Sequence, residues 1–156
     1  KEWRYSISRG FQSVPALLKL LRFNKKRTEN CNIYISNIYK NYVMIYNGDD
    51  WIIEDRDDVI EQIVDEHKCH LIEKFDEFEK SLPKSAIFKF TTFLKHQEDN
   101  SKYNWIKHQV RNTLYNNRKL PLELRKLIKE RDKLVTKVTK KIKKKPKIGG
   151  KRKKKK

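Results

Sequence analysis

The chain has 156 residues, with 39 Lys and Arg against 20 Asp and Glu, a formal net charge of +19. That length suits one compact domain, and the charge points to a polyanionic partner, because phosphate backbones attract such a chain over long range. Two cysteines without a CxxC pair exclude a disulfide framework and an ordinary zinc ribbon. No apolar run approaches the roughly 18 residues of a membrane span, so no membrane partner is expected.

Residues 1–9 read as a linker or the remnant of an upstream region. Ser13 and Pro15 then start a helix, with Leu17, Leu18, Leu20 and Leu21 on its apolar face. Asn24 to Asn30 is a basic loop. The alternation over Cys31–Ile35 predicts a strand, as do Tyr42–Tyr46 and Trp51–Ile53. Asn47-Gly48 between the last two is a strong hairpin signal, which Asp49-Asp50 can lengthen.

Asp55 and Asp57 or Asp58 cap the next helix. Its apolar residues Ile60, Ile63, Val64, His67, Leu71, Phe75 and Phe78 recur at three and four, consistent with one long helix or with a break near His67–Cys69. Pro83 begins another helix, with Ile87, Phe90 and Leu94 inward. Tyr103, Ile106, Val110 and Leu114 mark the stripe of a further one. From Pro121, the seam Leu124, Leu127, Leu134 and Val138 predicts a last amphipathic helix, interrupted at Arg131. Its first turns are expected to dock through Leu124, Leu127 and Ile128, leaving its later lysines free. The expected fold is α+β: a three-stranded antiparallel meander packed with four or five helices and a basic disordered C-terminal tail. The boundaries fall at 10–119 for the domain, 120–139 for the helix and 140–156 for the tail.

Lys (29), Ile (15) and Asn (11) abound while Ala, Gly and Pro total 10, a bias that an AT-rich genome would produce unaided. Codon bias would spread lysine evenly, whereas the charge lies in blocks. Residues 1–48 carry +7, 49–80 carry −9, 81–119 carry +6 and 120–156 carry +15. From Lys140 onward, 12 of 17 residues are basic and none is acidic. Such a run cannot be buried and suits a polyanion.

The order of motifs Gly10-Phe11-Gln12-Ser13-Val14-Pro15, Phe23-Asn24-Lys25-Lys26, Glu29-Asn30, Asn32-Ile33-Tyr34-Ile35-Ser36-Asn37, Tyr42-Val43-Met44-Ile45-Tyr46-Asn47-Gly48 with Trp51, and Leu114-Tyr115-Asn116-Asn117-Arg118 resembles a domain of uncharacterised proteins in giant DNA viruses of the mimivirus type. The resemblance runs from Gly10 to about Arg118. In that family the domain often follows a C2H2 zinc finger, which implies nucleic-acid work. No finger is present here, so the chain is expected to be a fragment or a relative lacking it. Cys31 stands where relatives tend to have His. The resemblance supplies no catalytic residues, and it implies a viral factory in the host cytoplasm, or the virion, as the place of action.

The residues that carry metal or catalytic chemistry elsewhere have simpler readings here. Cys31, His67, Cys69 and His70 are the weak metal candidates, but the local trio is spaced too tightly for finger geometry. Asp49 and Asp50 belong to a turn, and Asp55, Asp57 and Asp58 to a helix cap, so a Mg²⁺ site is not expected. Neither enzyme nor cofactor is expected. Trp51 reads as a sheet anchor and Trp105 as exposed.

The basic side chains give the candidate interface: Lys25, Lys26 and Arg27 in the first loop, Lys107 and Arg111 on one helical face, and Arg118. The last helix and tail add Lys137, Lys140, Lys141, Lys143, Lys144, Lys145, Lys151 and Arg152. Singly each is an ordinary solvated surface residue; together they form a phosphate track that positions without reading sequence. The runs around Lys143–Lys147 and Lys151–Lys153 also resemble nuclear-import signals, which gives the nucleus as an alternative location. The expected function is a non-enzymatic, sequence-independent DNA- or RNA-binding accessory protein. The alternative is an assembly module that self-associates, or joins other viral proteins, through its charge blocks or the C-terminal helix.

Overall fold

The computed structural model describes residues 1–144 and divides the chain into two compact units, Lys1–Glu123 and the segment from Leu124 onward. Among the described residues there are six α-helices and a three-stranded sheet. They are α1 (Glu2–Ile7), α2 (Ser13–Arg22), β1 (Ile33–Tyr34), β2 (Tyr42–Tyr46), β3 (Trp51–Asp55), α3 (Arg56–Phe78), α4 (Lys84–Lys95), α5 (Asn100–Asn116) and α6 (Lys119–Lys143). The α+β reading holds, with one helix more than expected.

The additional helix is α1. Residues 1–9 are part of the domain rather than a linker, because Ile7 and Ser6 are fully buried. Ser6 Oγ donates to the Glu2 carbonyl, and Arg27 forms an ion pair with Glu2. Between α1 and α2 the chain turns at Gly10 (φ +59°), where a Cβ would meet the Lys89 carbonyl oxygen of α4 at 3.5 Å. That is ordinary contact, so it is the left-handed backbone that favours glycine here. Ser13 does not cap α2 as expected; it lies inside the first turn, and its hydroxyl donates to the Ile7 carbonyl at 3.4 Å.

The sheet order is β1-β2-β3, antiparallel throughout. β1 is shorter than the alternation predicted, because the Ile35 N–H leaves the ladder for the Leu114 carbonyl at the end of α5. Tyr46 pairs with Trp51, so the hairpin loop is the four residues Asn47–Asp50. Asn47 Oδ1 accepts from the amides of Asp49 (3.0 Å) and Asp50 (2.9 Å), while Gly48 takes φ +108°. Trp51 stands edge-on to Tyr34 and Tyr46, at centroid distances of 4.8 and 5.3 Å, and anchors the meander.

α3 runs unbroken through His67–Cys69, since no glycine or proline interrupts its apolar stripe. Asp55 Oδ1 caps it, accepting from the amides of Asp57 (3.0 Å) and Asp58 (3.1 Å). Asp55→Ala should therefore cost about 1 kcal/mol in urea unfolding, with the helix content retained. Asp99 caps α5 in the same way. The core gathers Leu17 and Leu18 of α2, Val64 and Leu71 of α3, Phe90 and Phe93 of α4, and Val110 and Leu114 of α5, all essentially inaccessible. Val43 closes it from the sheet side.

The second unit is helical through Lys143, so the helix includes the first residues assigned to the tail. Lys145, Lys151 and Arg152, like the rest of the tail, lie outside the described residues. Docking through Leu127 is corrected: that side chain is 60% exposed, on a seam with the equally open Leu134, Val135, Val138 and Ile142. Leu127→Ala should change the melting temperature of the purified chain by no more than an ordinary surface substitution, within about 0.5 kcal/mol.

Candidate nucleic-acid interface

The sequence-predicted cations fall into three groups. Lys25 and Lys26 are exposed in the turn after α2, where Asn24 Oδ1 accepts the Lys26 amide at 3.0 Å. Two others are committed within the first unit. Arg27 is held by Glu2. Arg118 stacks on the Tyr115 ring at 4.1 Å and donates to the Tyr115 carbonyl at 3.0 Å, closing the end of α5.

Lys107 and Arg111 do share one face of α5, and the fold adds partners that were not anticipated. Together with Asn104 and His108 they face Arg56 and Asp57, the first turn of α3, across a cleft of about 160 Å³. Arg56 is fixed there by the meander, because its Nη1 donates to the carbonyls of Ile38 and Lys40, each at 3.0 Å. Its Nε lies 3.5 Å from Asp57 Oδ1. Arg111 Nη2 contacts His108 Nε2 at 2.9 Å. Lys107 Nζ sits 3.3 Å from Glu61 and 4.9 Å from the centre of the Tyr103 ring. Burial, helped by the charges of Asp65 and Glu61, raises the Tyr103 pKa.

The third group is the second unit. Between Leu124 and Lys144 there are ten Lys and Arg and two acidic residues, Glu130 and Asp132. Lys137, Lys140, Lys141, Lys143 and Lys144 are all exposed. Arg131, which interrupts the apolar seam, pairs with the neighbouring Asp132 at 3.1 Å. Each of the five lysines carries its charge on a flexible stem in water, so none must be desolvated before meeting a phosphate.

The weak metal candidates are dispersed. Cys31 is buried, its thiol directed at the carbonyls of Asn24 (3.5 Å) and Arg27 (3.6 Å); Cys69 and His70 are exposed, and His67 is buried. Among the described residues no group of three or more His, Cys, Asp or Glu side chains could hold a metal ion, and no helix is long and apolar enough to cross a membrane. Trp105 is 40% exposed on α5.

No family model, no curated protein and no solved structure matches the chain.

Proposed function

We propose that the protein is a non-enzymatic, sequence-independent nucleic-acid-binding protein that engages phosphate backbones, with DNA the better-suited partner. The observation that carries this reading is the second unit, whose described residues carry ten Lys and Arg against two acidic residues, with the lysines exposed. Such a surface neutralises phosphates and releases their counterions, which supplies affinity without reading bases. Lys25 and Lys26 add cations on the first unit. On this reading the resemblance to giant-virus proteins supports an accessory role in a large DNA virus, in a cytoplasmic factory or in the virion, with the nucleus as the alternative.

The test is fluorescence anisotropy of the full chain with two duplexes of equal length and unrelated sequence. Affinities within a few-fold of each other are expected; strong preference for one duplex would refute the sequence-independent reading.

The alternative, an assembly module, draws on one observation: the exposed seam Leu127, Leu134, Val135, Val138 and Ile142. Light scattering without nucleic acid decides. A monomer supports the nucleic-acid reading, and an oligomer that forms without nucleic acid supports assembly.

A further inference from the structure

We infer that the first unit carries a site for single-stranded nucleic acid, on the surface that runs from Phe88 of α4 across Arg9 to Tyr5 of α1 and the turn after α2. Of the seven phenylalanines Phe88 alone is exposed, at 72%, although Phe90 and Phe93 of the same helix are buried. Tyr5 is 53% exposed. Each ring borders a cleft with cations around it. Phe88 shares about 320 Å³ with Arg9 and Lys89. Tyr5 shares about 580 Å³ with Lys19, Lys25 and Lys26, above the apolar side chains of Leu20 and Phe23. Arg9 joins the two, since it lines the first cleft and its guanidinium lies 5.6 Å from the centre of the Tyr5 ring.

Charge and shape select the ligand. No Asp or Glu lines either cleft, and among the described residues no carboxylate pairs with Arg9, Lys19, Lys25, Lys26 or Lys89. All five side chains are exposed, so their charges are free to meet an anion. Rings and cations therefore alternate along one surface, as flat bases and phosphates alternate along a single strand. Unpaired bases stack on such rings and the backbone follows the cations, whereas a duplex keeps its bases stacked inside. An acidic peptide would match the charge without supplying flat faces for two separate rings. Both volumes fall in the range of about 300 to about 1,000 Å³ that suits small-molecule sites. Stacking accepts every base, so the site adds no sequence preference. This inference rests on the nucleic-acid reading proposed above for its class of partner, but it uses the first unit and the bases instead of α6 and the phosphates alone.

The experiment compares a short oligothymidylate with an abasic strand of equal length and charge, by fluorescence anisotropy on the full chain. The oligothymidylate should bind at least about fivefold tighter for each base that stacks. In ¹H–¹³C NMR it should move the ring resonances of Tyr5 and Phe88, and the abasic strand should not. Phe88→Leu and Tyr5→Leu keep the apolar bulk and remove the ring. Each should lower oligothymidylate affinity at least about fivefold and leave abasic-strand affinity unchanged, while Tyr5→Phe should bind as the parent does. If Tyr5→Leu fails to fold, Phe88→Leu at its more exposed position decides. Equal binding of the two strands by the parent, or leucine variants without effect, would overturn the site. So would ring shifts produced by an acidic Glu/Leu peptide, or by raising the protein concentration alone, but not by the oligothymidylate. Equal, salt-sensitive binding of both strands removes this site and leaves the proposed function standing. Salt-insensitive duplex binding beside a preference for the oligothymidylate over the abasic strand removes the phosphate reading and leaves this site.

Discussion

Replacing Lys137, Lys140, Lys141, Lys143 and Lys144 together by glutamine should weaken duplex DNA binding by about tenfold for each lysine that contacts a phosphate, at about 0.1 M salt. The magnitude follows from counterion release: each neutralised phosphate contributes about 0.9 to the slope of log affinity against log salt, and hence nearly one log unit at that concentration. The variant's slope should be shallower by the same count. All five side chains are exposed and glutamine is a good helix former, so the melting temperature should stay within the range of surface substitutions. An unchanged affinity would move the interface away from α6. A lower melting temperature would show that these lysines support the fold.

Acid should destabilise the first unit through His67. The imidazole is 4% exposed on the inner face of α3, and its pKa falls to about 4, first from burial and then from the nearby Arg22 charge. The Ile63 carbonyl one turn earlier pulls weakly the other way. The unfolded chain takes up this proton near pH 6.5, whereas the folded chain resists it until about pH 4. His67 therefore contributes its full share of stability above pH 6.5, and that share is lost as pH falls from 6.5 toward 4. At about 1.4 kcal/mol per pH unit the loss reaches at most about 3 kcal/mol. Urea unfolding at about pH 7.5 and about pH 4.5 measures it, and His67→Leu should flatten the difference by that amount. If the parent and His67→Leu lose stability in parallel, the acid sensitivity resides in other groups.

Local signals in the sequence were sufficient where one physical rule dominated. Asn47-Gly48 and the aspartates at 49–50 set the hairpin loop, Asp55 set the start of α3, and the three-four spacing from Ile60 to Phe78 set its buried face. Where tertiary contacts competed with local rules, the reading fell short. β1 is cut short because Ile35 finds a hydrogen-bond acceptor on α5, a residue far along the chain. Glu2–Ile7 has no long periodic pattern, yet it is fixed by the burial of Ile7 and the ion pair with Arg27.

The interface shows the same division. Lys107 and Arg111 were legible because i and i+4 share a helical face. Arg56 was not, since it stands inside the acidic block 49–80, where summed charge conceals a single cation. His108, one residue after Lys107, carried no spacing signal of its own. Only the packing of α3 against α5 sets Arg56 opposite Arg111. Conversely, Arg27 and Arg118 looked as available as Lys25 in sequence, but Glu2 and Tyr115 occupy them. The apolar seam of α6 misled in another way: its spacing is that of a buried face, and Leu127, Leu134 and Val138 are nonetheless open to water.

The most direct measurement is the affinity of the full chain for duplex DNA as salt is raised from about 50 to about 200 mM. Binding through phosphate neutralisation predicts a linear log–log fall with a slope of about −0.9 for each phosphate engaged, steepest for the parent and shallower in the α6 variant. Binding that is absent at the low-salt end, or that holds constant across this range, would contradict it.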